Sequence, residues 1–243
     1  MNESLSVVIP VWNEEAVIGE LLAEIDTKIA ERFEQAEIIV VDDASTDSTP
    51  AILAGLGDLS GRLRVIRSDR NRGHGPSVRR GLEHASGDWI LQLDSDGQFE
   101  VADFWSLWSA RKDADLILGV RVHRRDPVHR LALTRVVSVV VSLLAGRRIR
   151  DANVPFRLLR RALWNDLAPV IPPDTLAPSI LVTLGAVVRG FRIVETPVSH
   201  RRRERGRSSL RALRLLTFSL RGLGQLLRFR YVLLRARPES THA

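Results

Sequence analysis

Two carboxylates that follow a short apolar run carry the clearest chemistry in this sequence. The run at residues 89–93 predicts a buried strand, and DSDGQ occupies residues 94–98 directly after it. Side chains two apart in an extended chain point the same way, so Asp94 and Asp96 can converge at the carboxyl edge of a parallel sheet. With the amide oxygen of Gln98 they make a hard oxygen site suited to Mg²⁺ or Mn²⁺ and a diphosphate. A solvated turn is the alternative, because Asp, Ser and Gly favour turns.

A second pair of aspartates ends another apolar run, in VVDDASTDST at residues 40–49. Asp42 and Asp43 would stand at the end of a buried strand, where a nucleotide base or ribose could donate hydrogen bonds to them. The segment is also rich in helix-capping residues, and we expect the caps of the next helix at Asp47 to Thr49. Both interpretations can hold together, because different residues serve them.

Two loops offer further candidates. Trp12 and Glu14 follow the first apolar run in SVVIPVWNEE, where a hydrophobic staple and an acidic first helical turn are the alternative. In NRGHGPSVRRGL, Gly73 and Gly75 let a backbone approach a ligand ahead of a helix N-terminus, which is a natural site for an anion. Neither loop is specific alone.

These residues need a scaffold, and the hydrophobic pattern predicts one. Short apolar runs alternate with helix-period segments, which is typical of a mostly parallel sheet flanked by helices. In the first half the predicted strands are 5–10, 37–41, 63–67, 89–93 and 116–119, and the predicted helices are 14–33, 75–86 and about 101–112. The second half adds helices at 129–145 and 177–188, an extended piece at 154–159 and a strand at 191–198.

The final segment predicts a basic amphipathic helix from residue 208 onward. With a rotation of ~100° per residue, five arginines fall on one arc of this helix, and Arg230 lies on the opposite side. The arginines on that arc are Arg211, Arg214, Arg221, Arg228 and Arg235. We expect a catalytic domain over residues 1–200, and a basic loop with an amphipathic membrane-surface helix over 201–243.

Charge divides the chain into two unlike halves. Residues 1–120 hold 11 basic and 22 acidic side chains, a net charge of −11, whereas residues 121–243 hold 25 and 7, a net charge of +18. A positive field confined to one end suits phosphate groups or an anionic membrane surface as well as nucleic acid. With 44% hydrophobic and 27% charged residues, the composition excludes a disordered chain.

The sequence also predicts where the protein works. The start, MNESLSVVIP, lacks the pattern of a signal peptide, and the apolar run at 136–146 is shorter than the ~20 residues that span a bilayer. The absence of cysteine excludes disulfides, thiolate zinc sites and cysteine nucleophiles. We expect a cytoplasmic protein, peripherally associated with the inner face of the membrane.

Taken jointly and in order, the motifs resemble one known family. They are IPVWNEE, EIIVVDDASTDST, NRGHGPSVRRGLEHASGDWILQLDSDGQ, LGVRVHRRDPVHR, DANVPFRLLRR and HRRRERGRSS. The chain resembles family 2 glycosyltransferases of the GT-A fold, especially the dolichol-phosphate mannose synthase and polyprenyl-phosphate glycosyltransferase branch. The resemblance implies metal-dependent, inverting transfer of a hexose to a polyprenyl phosphate. The donor would be a nucleotide-diphosphate sugar of the GDP-mannose or UDP-glucose type.

The resemblance also implies roles for individual residues. The donor-binding residues would be Pro10, Trp12, Glu14, Asp42, Asp43, Gly73, His74, Asp94 and Ser95. The Mg²⁺ or Mn²⁺ ligands would be Asp94, Asp96 and Gln98, and the catalytic residues Asp96, Arg121 and Arg130. The residues against the acceptor phosphate would be Arg121, Arg130, Arg157, Arg203 and Ser208. The chain departs from the family pattern at His74, Pro155 and Ser209, where the family has lysine, glycine and a basic residue.

The acceptor separates the alternatives. A hydroxyl acceptor needs a general base, for which IPPDTLAPS offers only Asp174, in surroundings that favour a turn. A phosphate acceptor needs none, because a second pKa of ~6 leaves it largely dianionic at neutral pH. The alternatives are a family 2 glycosyltransferase with a hydroxyl acceptor on a glycolipid or polysaccharide, and a non-catalytic basic module that binds membranes or nucleic acid. We expect no nucleic acid partner.

Overall fold

A seven-stranded sheet organises the residues that the structure describes. The structure, a computed structural model, describes residues 2–57, 59, 61–122, 128–199 and 212–235, except for the side chains of 128–133 and 212–220. The strands are β1 (Leu5–Val11), β2 (Ala36–Asp42), β3 (Leu63–Arg67), β4 (Trp89–Gln92), β5 (Leu116–Val122), β6 (Arg157–Arg160) and β7 (Ile193–Ser199). Their order across the sheet is β3, β2, β1, β4, β6, β5 and β7.

The sheet is parallel except for one strand. β1 pairs in parallel with β2 and β4, β2 with β3, and β5 with β7. β6 lies between β4 and β5 and runs antiparallel to both. The predicted mostly parallel sheet flanked by helices is therefore confirmed, with an antiparallel strand that hydrophobic patterning did not reveal.

Eight α-helices accompany these strands in the described ranges. They are α1 (Ile18–Lys28), α2 (Thr49–Gly55), α3 (His74–His84), α4 (Phe104–Ala110), α5 (Val128–Ala145), α6 (Arg161–Leu167), α7 (Pro178–Val188) and α8 (Ala212–Arg235). α3 packs on β1 and β2, and α4 packs against β5, β6 and β7. The short helix α6 was missed by the sequence prediction.

Helix α1 confirms the predicted periodicity but begins later than predicted. Its buried face is formed by Ile18, Leu21, Leu22 and Ile25. The predicted start at Glu14 is wrong because the residues before the helix bond to the next loop. The N–H of Glu14 donates to Oγ1 of Thr49 at 3.0 Å. This loop therefore connects β1 to the segment after β2.

Helix α8 packs along α7 through one apolar face. Leu226, Phe229 and Leu233 are buried on that face. Three arginines of the predicted arc, Arg221, Arg228 and Arg235, are exposed and outside this packing. Arg211 and the side chain of Arg214 lie outside the described residues. Among the described helices, none combines the length and apolar character needed to cross a membrane.

Candidate functional site

Three loops meet at the carboxyl edge of the sheet, after β1, β2 and β4. Each follows a strand with a largely buried end, so the polar residues beyond the strands are held on a rigid base. Pro10 lies within β1, opposite Val41 of β2 and beyond the last residue that β1 pairs with β4. Proline has no backbone N–H to donate. At position 10 one side of the strand has no paired neighbour, so the missing donor costs no hydrogen bond of the sheet.

Asp42 is the most enclosed carboxylate of this edge, with a relative exposure of 1%. Its Oδ1 accepts a hydrogen bond from the N–H of Ser45 at 2.9 Å. Its Oδ2 is buried and accepts no hydrogen bond from any residue that the structure describes. Nε of Arg67 lies 3.5 Å from that oxygen. A buried oxygen with unused acceptor capacity is costly in isolation, and a ligand hydroxyl or N–H would satisfy it.

Asp43 supports the neighbouring glycine loop. Its Oδ1 accepts from the N–H of Arg72 at 2.9 Å, and its Oδ2 accepts from the N–H of Gly73 at 2.7 Å. Gly73 has a φ of 93°, a conformation that favours glycine. Asp43 therefore shapes the backbone that leads into α3.

The loop after β1 leaves one aromatic side chain in solvent. Trp12 is 45% exposed. The next residue, Asn13, is fixed to the loop after β2, because its N–H donates to Oγ of Ser45 at 3.0 Å and its Oδ1 accepts from the N–H of Thr46 at 2.8 Å. An exposed ring on a fixed backbone next to Asp42 is suited to stacking on a planar base.

The expected helix caps at residues 47–49 are found in part. Oδ1 of Asp47 accepts from the N–H of Thr49 at 2.9 Å, in the turn that opens α2. Its Oδ2 accepts from the N–H of Glu15 at 3.2 Å. Desolvation raises the pKa of Asp47, but the hydrogen bonds from Thr49 and Glu15 outweigh it and hold the pKa below its ordinary value. Ser48 occupies the N-cap position but makes no capping bond through its side chain.

His74 joins the glycine loop to the DSDGQ motif. Its Nε2 lies 2.8 Å from Oδ1 of Asp94. Desolvation lowers the pKa of His74, but the charges of Asp94, Asp96 and Asp43 and the hydrogen bond to Asp94 outweigh it, so the pKa lies above its ordinary value. His74 therefore supplies positive charge more readily than a free histidine does.

The DSDGQ motif forms a tight turn after β4. Ser95 is buried, Gly97 has a φ of 67°, and the N–H of Gln98 donates to Oδ1 of Asp96 at 3.2 Å. The turn alternative and the ligand interpretation are compatible, because both describe the same backbone.

The donor set fits a divalent cation that is shared with a diphosphate. In the described ranges, no three His, Asp or Glu side chains gather closely enough to hold a metal ion by themselves. Mg²⁺ is commonly held by one or two carboxylates, with phosphate oxygens and water completing its ligands. Asp94 and Asp96 are of that kind, and they stand 2 positions apart at the end of a buried strand.

Arg121 is held in an ion pair. Its Nε and Nη2 both lie 2.7 Å from Oδ2 of Asp151, and its side chain is 13% exposed. Asp151 begins the DANVPFRLLRR motif but was not among the predicted site residues. A carboxylate six residues before β6 had no periodic signal that would have identified it.

Arg157 occupies the interior of the protein, with a relative exposure of 1%. Its guanidinium donates to the carbonyl oxygens of Ala152, Val154 and Ser179, and to Oγ1 of Thr183 at 3.1 Å. Burial is the main cause that lowers the pKa of Arg157 to about 9, so the side chain stays charged at neutral pH. These bonds also explain why β6 begins at Arg157, and not at the predicted residue 154.

Three residues of the predicted set cannot be compared with this geometry. The side chain of Arg130, and the whole of Arg203 and Ser208, lie outside the described residues. The structure does bring together Asp43 with Gly73, and His74 with Asp94. Trp12 and Glu14 lie on the loop after β1, and Asp42 is the last residue of β2.

A family model matches most of the chain. The model described as "Glycosyl transferase family 2" matches residues 6–173, which include the loops after β1, β2 and β4. The chain belongs to glycosyl transferase family 2. The match ends before α7, so residues from Asp174 onward lie outside the matched region.

Curated relatives and solved structures agree with that assignment. The chain is 29% identical, over 216 residues, to an "Undecaprenyl-phosphate 4-deoxy-4-formamido-L-arabinose transferase" of Klebsiella pneumoniae (strain 342), and 27% identical to one of Salmonella choleraesuis. Each match covers 88% of this family 2 chain but 64% of the relative, so the chain spans less than two thirds of their length.

The fold is that of solved glycosyltransferases. Glucosyl-3-phosphoglycerate synthase of Mycobacterium tuberculosis superposes with a TM-score of 0.69 at 18% identity, covering 98% of this chain and 82% of that one. A mannosyltransferase of Pyrobaculum calidifontis, solved with GDP-Man and Mn²⁺, gives 0.64 at 20% identity, covering 99% and 66%. At such identities the likeness shows the fold.

Proposed function

We propose that this chain transfers a hexose from a nucleotide-diphosphate sugar to a polyprenyl phosphate, with inversion. The observation that carries the proposal is the carboxyl edge of the sheet after β1, β2 and β4. It offers the exposed ring of Trp12, the buried carboxylate of Asp42 and the contact of His74 with Asp94. The names of the curated relatives support the acceptor, since they are transferases acting on undecaprenyl phosphate. The named ligands of two solved neighbours, GDP-Man and UDP-Glc, support the donor.

On the donor side, the base would stack on Trp12, and the nucleoside would donate to Oδ2 of Asp42, which accepts no hydrogen bond from the described residues. Glu14 would border the same pocket from the loop after β1, and Pro10 would shape that loop. Asp43 would act through Gly73, by holding the backbone that faces the diphosphate. Ser95 would close the pocket beneath Asp94.

Asp94, Asp96 and Gln98 would hold Mg²⁺ or Mn²⁺. The bound cation would neutralise charge on the departing diphosphate. His74 would add a second positive charge at the same place, through its contact with Asp94. The Mn²⁺ recorded in both solved neighbours supports this assignment.

On the acceptor side, arginines would hold the incoming phosphate and bring its oxygen into line with the sugar. Arg130 is the best candidate, because Arg121 is already paired with Asp151 and Arg157 is buried among backbone carbonyls. Arg121 would act near the transfer site while keeping that ion pair. Arg157 would support the site from within, and Arg203 and Ser208 would add contacts from the basic segment.

Helix α8 would rest on an anionic membrane surface at the cytoplasmic face. Leu223, Leu227, Tyr231 and Leu234 form a stripe of apolar side chains that are 39% to 52% exposed. Arg228 and Arg235 flank that stripe on one side, and Arg230 lies on the other. Arginines beside an apolar stripe can reach phosphates while the stripe enters the headgroup region.

A transfer assay tests the whole proposal. The protein is incubated with Mn²⁺ and either UDP-Glc or GDP-Man, and is offered a short polyprenyl phosphate or the corresponding free polyprenol. We expect product from the phosphate alone. In Arg130→Ala we expect binding of the acceptor to weaken more than binding of the donor. Transfer to the hydroxyl alone, or loss of all transfer in Asp174→Asn, would instead support a hydroxyl acceptor.

A further inference from the structure

The loop at residues 171–177, between α6 and α7, lies against the first turn of α3. A Cβ at Gly75 would meet the carbonyl oxygen of Thr175 and would stand 2.9 Å from that of Leu176. One helical turn further, Nε of Arg79 donates to the carbonyl oxygen of Ile171 at 3.3 Å. The loop and α3 are therefore in direct backbone contact, which a larger residue at position 75 would prevent.

One side chain of α8 holds the same loop from the other side. Oε1 of Gln225 accepts from the N–H of Leu176 at 3.0 Å, and its Nε2 approaches the carbonyl oxygen of Asp174 at 3.4 Å. Both ends of one amide are thus used on neighbouring backbone groups. Leu226, the next residue along α8, is buried, so the helix is fixed where this contact forms.

The contacts form a short path to the donor side. Gln225 touches Leu176, the backbone at Leu176 touches Gly75, and Gly75 follows His74, whose ring contacts Asp94. The links are a hydrogen bond, a close backbone contact, the peptide bond between His74 and Gly75, and the contact of His74 with Asp94. A shift of α8 would therefore reach the first turn of α3.

We propose that Gln225 is a positioning residue, which fixes the 171–177 loop against α3 and so couples the place of α8 to the donor site. The coupling rests on the proposed function, because it assumes that the edge around His74 binds the nucleotide sugar. The clamp itself does not rest on it, since its contacts exist without a ligand.

The experiment compares three variants at Gln225 with a control on the same helix. Gln225→Leu keeps the size and removes both hydrogen bonds. Gln225→Asn keeps the amide but is one methylene too short to reach the loop. Gln225→Glu retains an acceptor for the N–H of Leu176. The control is Gly224→Ala, because residue 224 is exposed and a Cβ there would meet no atom within 4 Å.

Two readouts are used on the full chain. Hydrogen exchange of peptides covering 73–81 and 170–178 needs no ligand, and we expect about five-fold faster exchange in both for Gln225→Leu and Gln225→Asn. Binding of UDP and of GDP with Mn²⁺ should weaken about five-fold for the nucleotide that the unmodified chain prefers. Gln225→Glu should recover to within about two-fold, and Gly224→Ala should match the unmodified chain.

The outcomes separate the two proposals. Unchanged exchange at 73–81 in both the Leu and Asn variants would overturn the coupling, and so would an equal effect in Gly224→Ala. If Gln225→Leu fails to fold, Gln225→Asn decides the matter alone. Failure of the unmodified chain to bind either nucleotide would contradict the proposed function, while the exchange result would still stand for or against the clamp.

Discussion

Nε2 of His74 and Oδ1 of Asp94 lie 2.8 Å apart and join the glycine loop before α3 to the motif after β4. The two residues are 20 positions apart in the sequence: His74 is the first residue of α3, and Asp94 follows the end of β4. Their contact closes one side of the proposed donor site. It also places a titratable histidine at the position where the family pattern has lysine.

Replacing His74 should weaken nucleotide binding. In His74→Ala we expect about ten-fold lower affinity for the preferred nucleoside diphosphate with Mn²⁺, because a charged hydrogen bond beside the diphosphate is lost. His74→Lys restores a cation and should recover most of the affinity. Isothermal titration measures both, and equal affinity in all three proteins would contradict a role for His74 in the donor site.

Replacing Asp96 should abolish transfer without unfolding the chain. Asp96→Asn removes one carboxylate charge from the proposed metal site after β4, so we expect a loss of about 100-fold or more in kcat/KM at every Mn²⁺ concentration. The control is Asp113→Asn, at an exposed residue of a 3₁₀ turn. Transfer measured against Mn²⁺ concentration, with a melting curve, checks this. Activity that survives EDTA would refute the metal assignment.

Replacing Asp43 should affect stability as well as binding. Asp43→Ala leaves the N–H groups of Arg72 and Gly73 without their acceptor, and we expect the free energy of unfolding to fall by about 3 kcal/mol. Urea unfolding measures this change. Asp113→Ala should stay within about 0.5 kcal/mol of the unmodified chain. A change that small in Asp43→Ala would show that other contacts hold the loop.

Acid should loosen the start of β1. The N–H and Oγ of Ser4 donate to Oδ2 of Asp88 at 3.0 and 2.8 Å, and these bonds lower the pKa of Asp88. A lowered pKa in the folded state contributes stability that is complete above the unfolded value of ~3.9 and is lost as pH falls through the folded value. Asp88→Asn should therefore lose less stability than the unmodified chain below about pH 4.

The check is urea unfolding between pH 3 and 6, with Asp113→Asn as the matched control, which should follow the unmodified chain. If Asp88→Asn and the unmodified chain show the same pH dependence of stability, Asp88 does not contribute to the loss of stability in acid.

The exposed stripe of α8 should control vesicle binding. In Leu227→Asp we expect about five-fold weaker sedimentation with anionic vesicles, because a charge replaces apolar surface between arginines. Val65→Asp is the control, since Val65 is an exposed apolar residue of β3. Raising the salt concentration should weaken binding of the unmodified chain. Equal loss in both variants would assign the effect to net charge, and not to the stripe.

The sequence predicted the sheet well because its strands are marked by local patterning. β3 has the predicted bounds, β1 and β4 differ by one residue at one end, and β2 differs by one residue at each end. Helix α1 began later than predicted, because the N–H groups of Glu14 and Glu15, which precede it, donate to residues 35 and 32 positions away, which no local pattern contains. The direction of β6 was likewise missed, since direction depends on the path between strands.

The candidate site followed from the sequence to a lesser degree. The edge carrying Asp42, Asp43, Asp94 and Asp96 was predicted, because strand ends can be located from apolar runs. The pairing of Arg121 with Asp151 and the burial of Arg157 were not, because both depend on contacts across the sheet. The clamp of Gln225 on Leu176 spans 49 positions and left no signal in the pattern.

The reversed direction of β6 also determines where the fold accepts change. Arg157, the first residue of β6, pairs with Gln92 at the end of β4 and with Leu118 of β5. The chain therefore leaves the sheet after Val122 and re-enters it at Arg157 on the edge that carries the site. The last part of the segment between them is tied to both strands, because Asp151 pairs with Arg121 of β5 and the carbonyl oxygens of Ala152 and Val154 accept from Arg157 of β6. A substitution at residues 151–154 therefore acts on the strand ends beside the site, although it lies outside every strand.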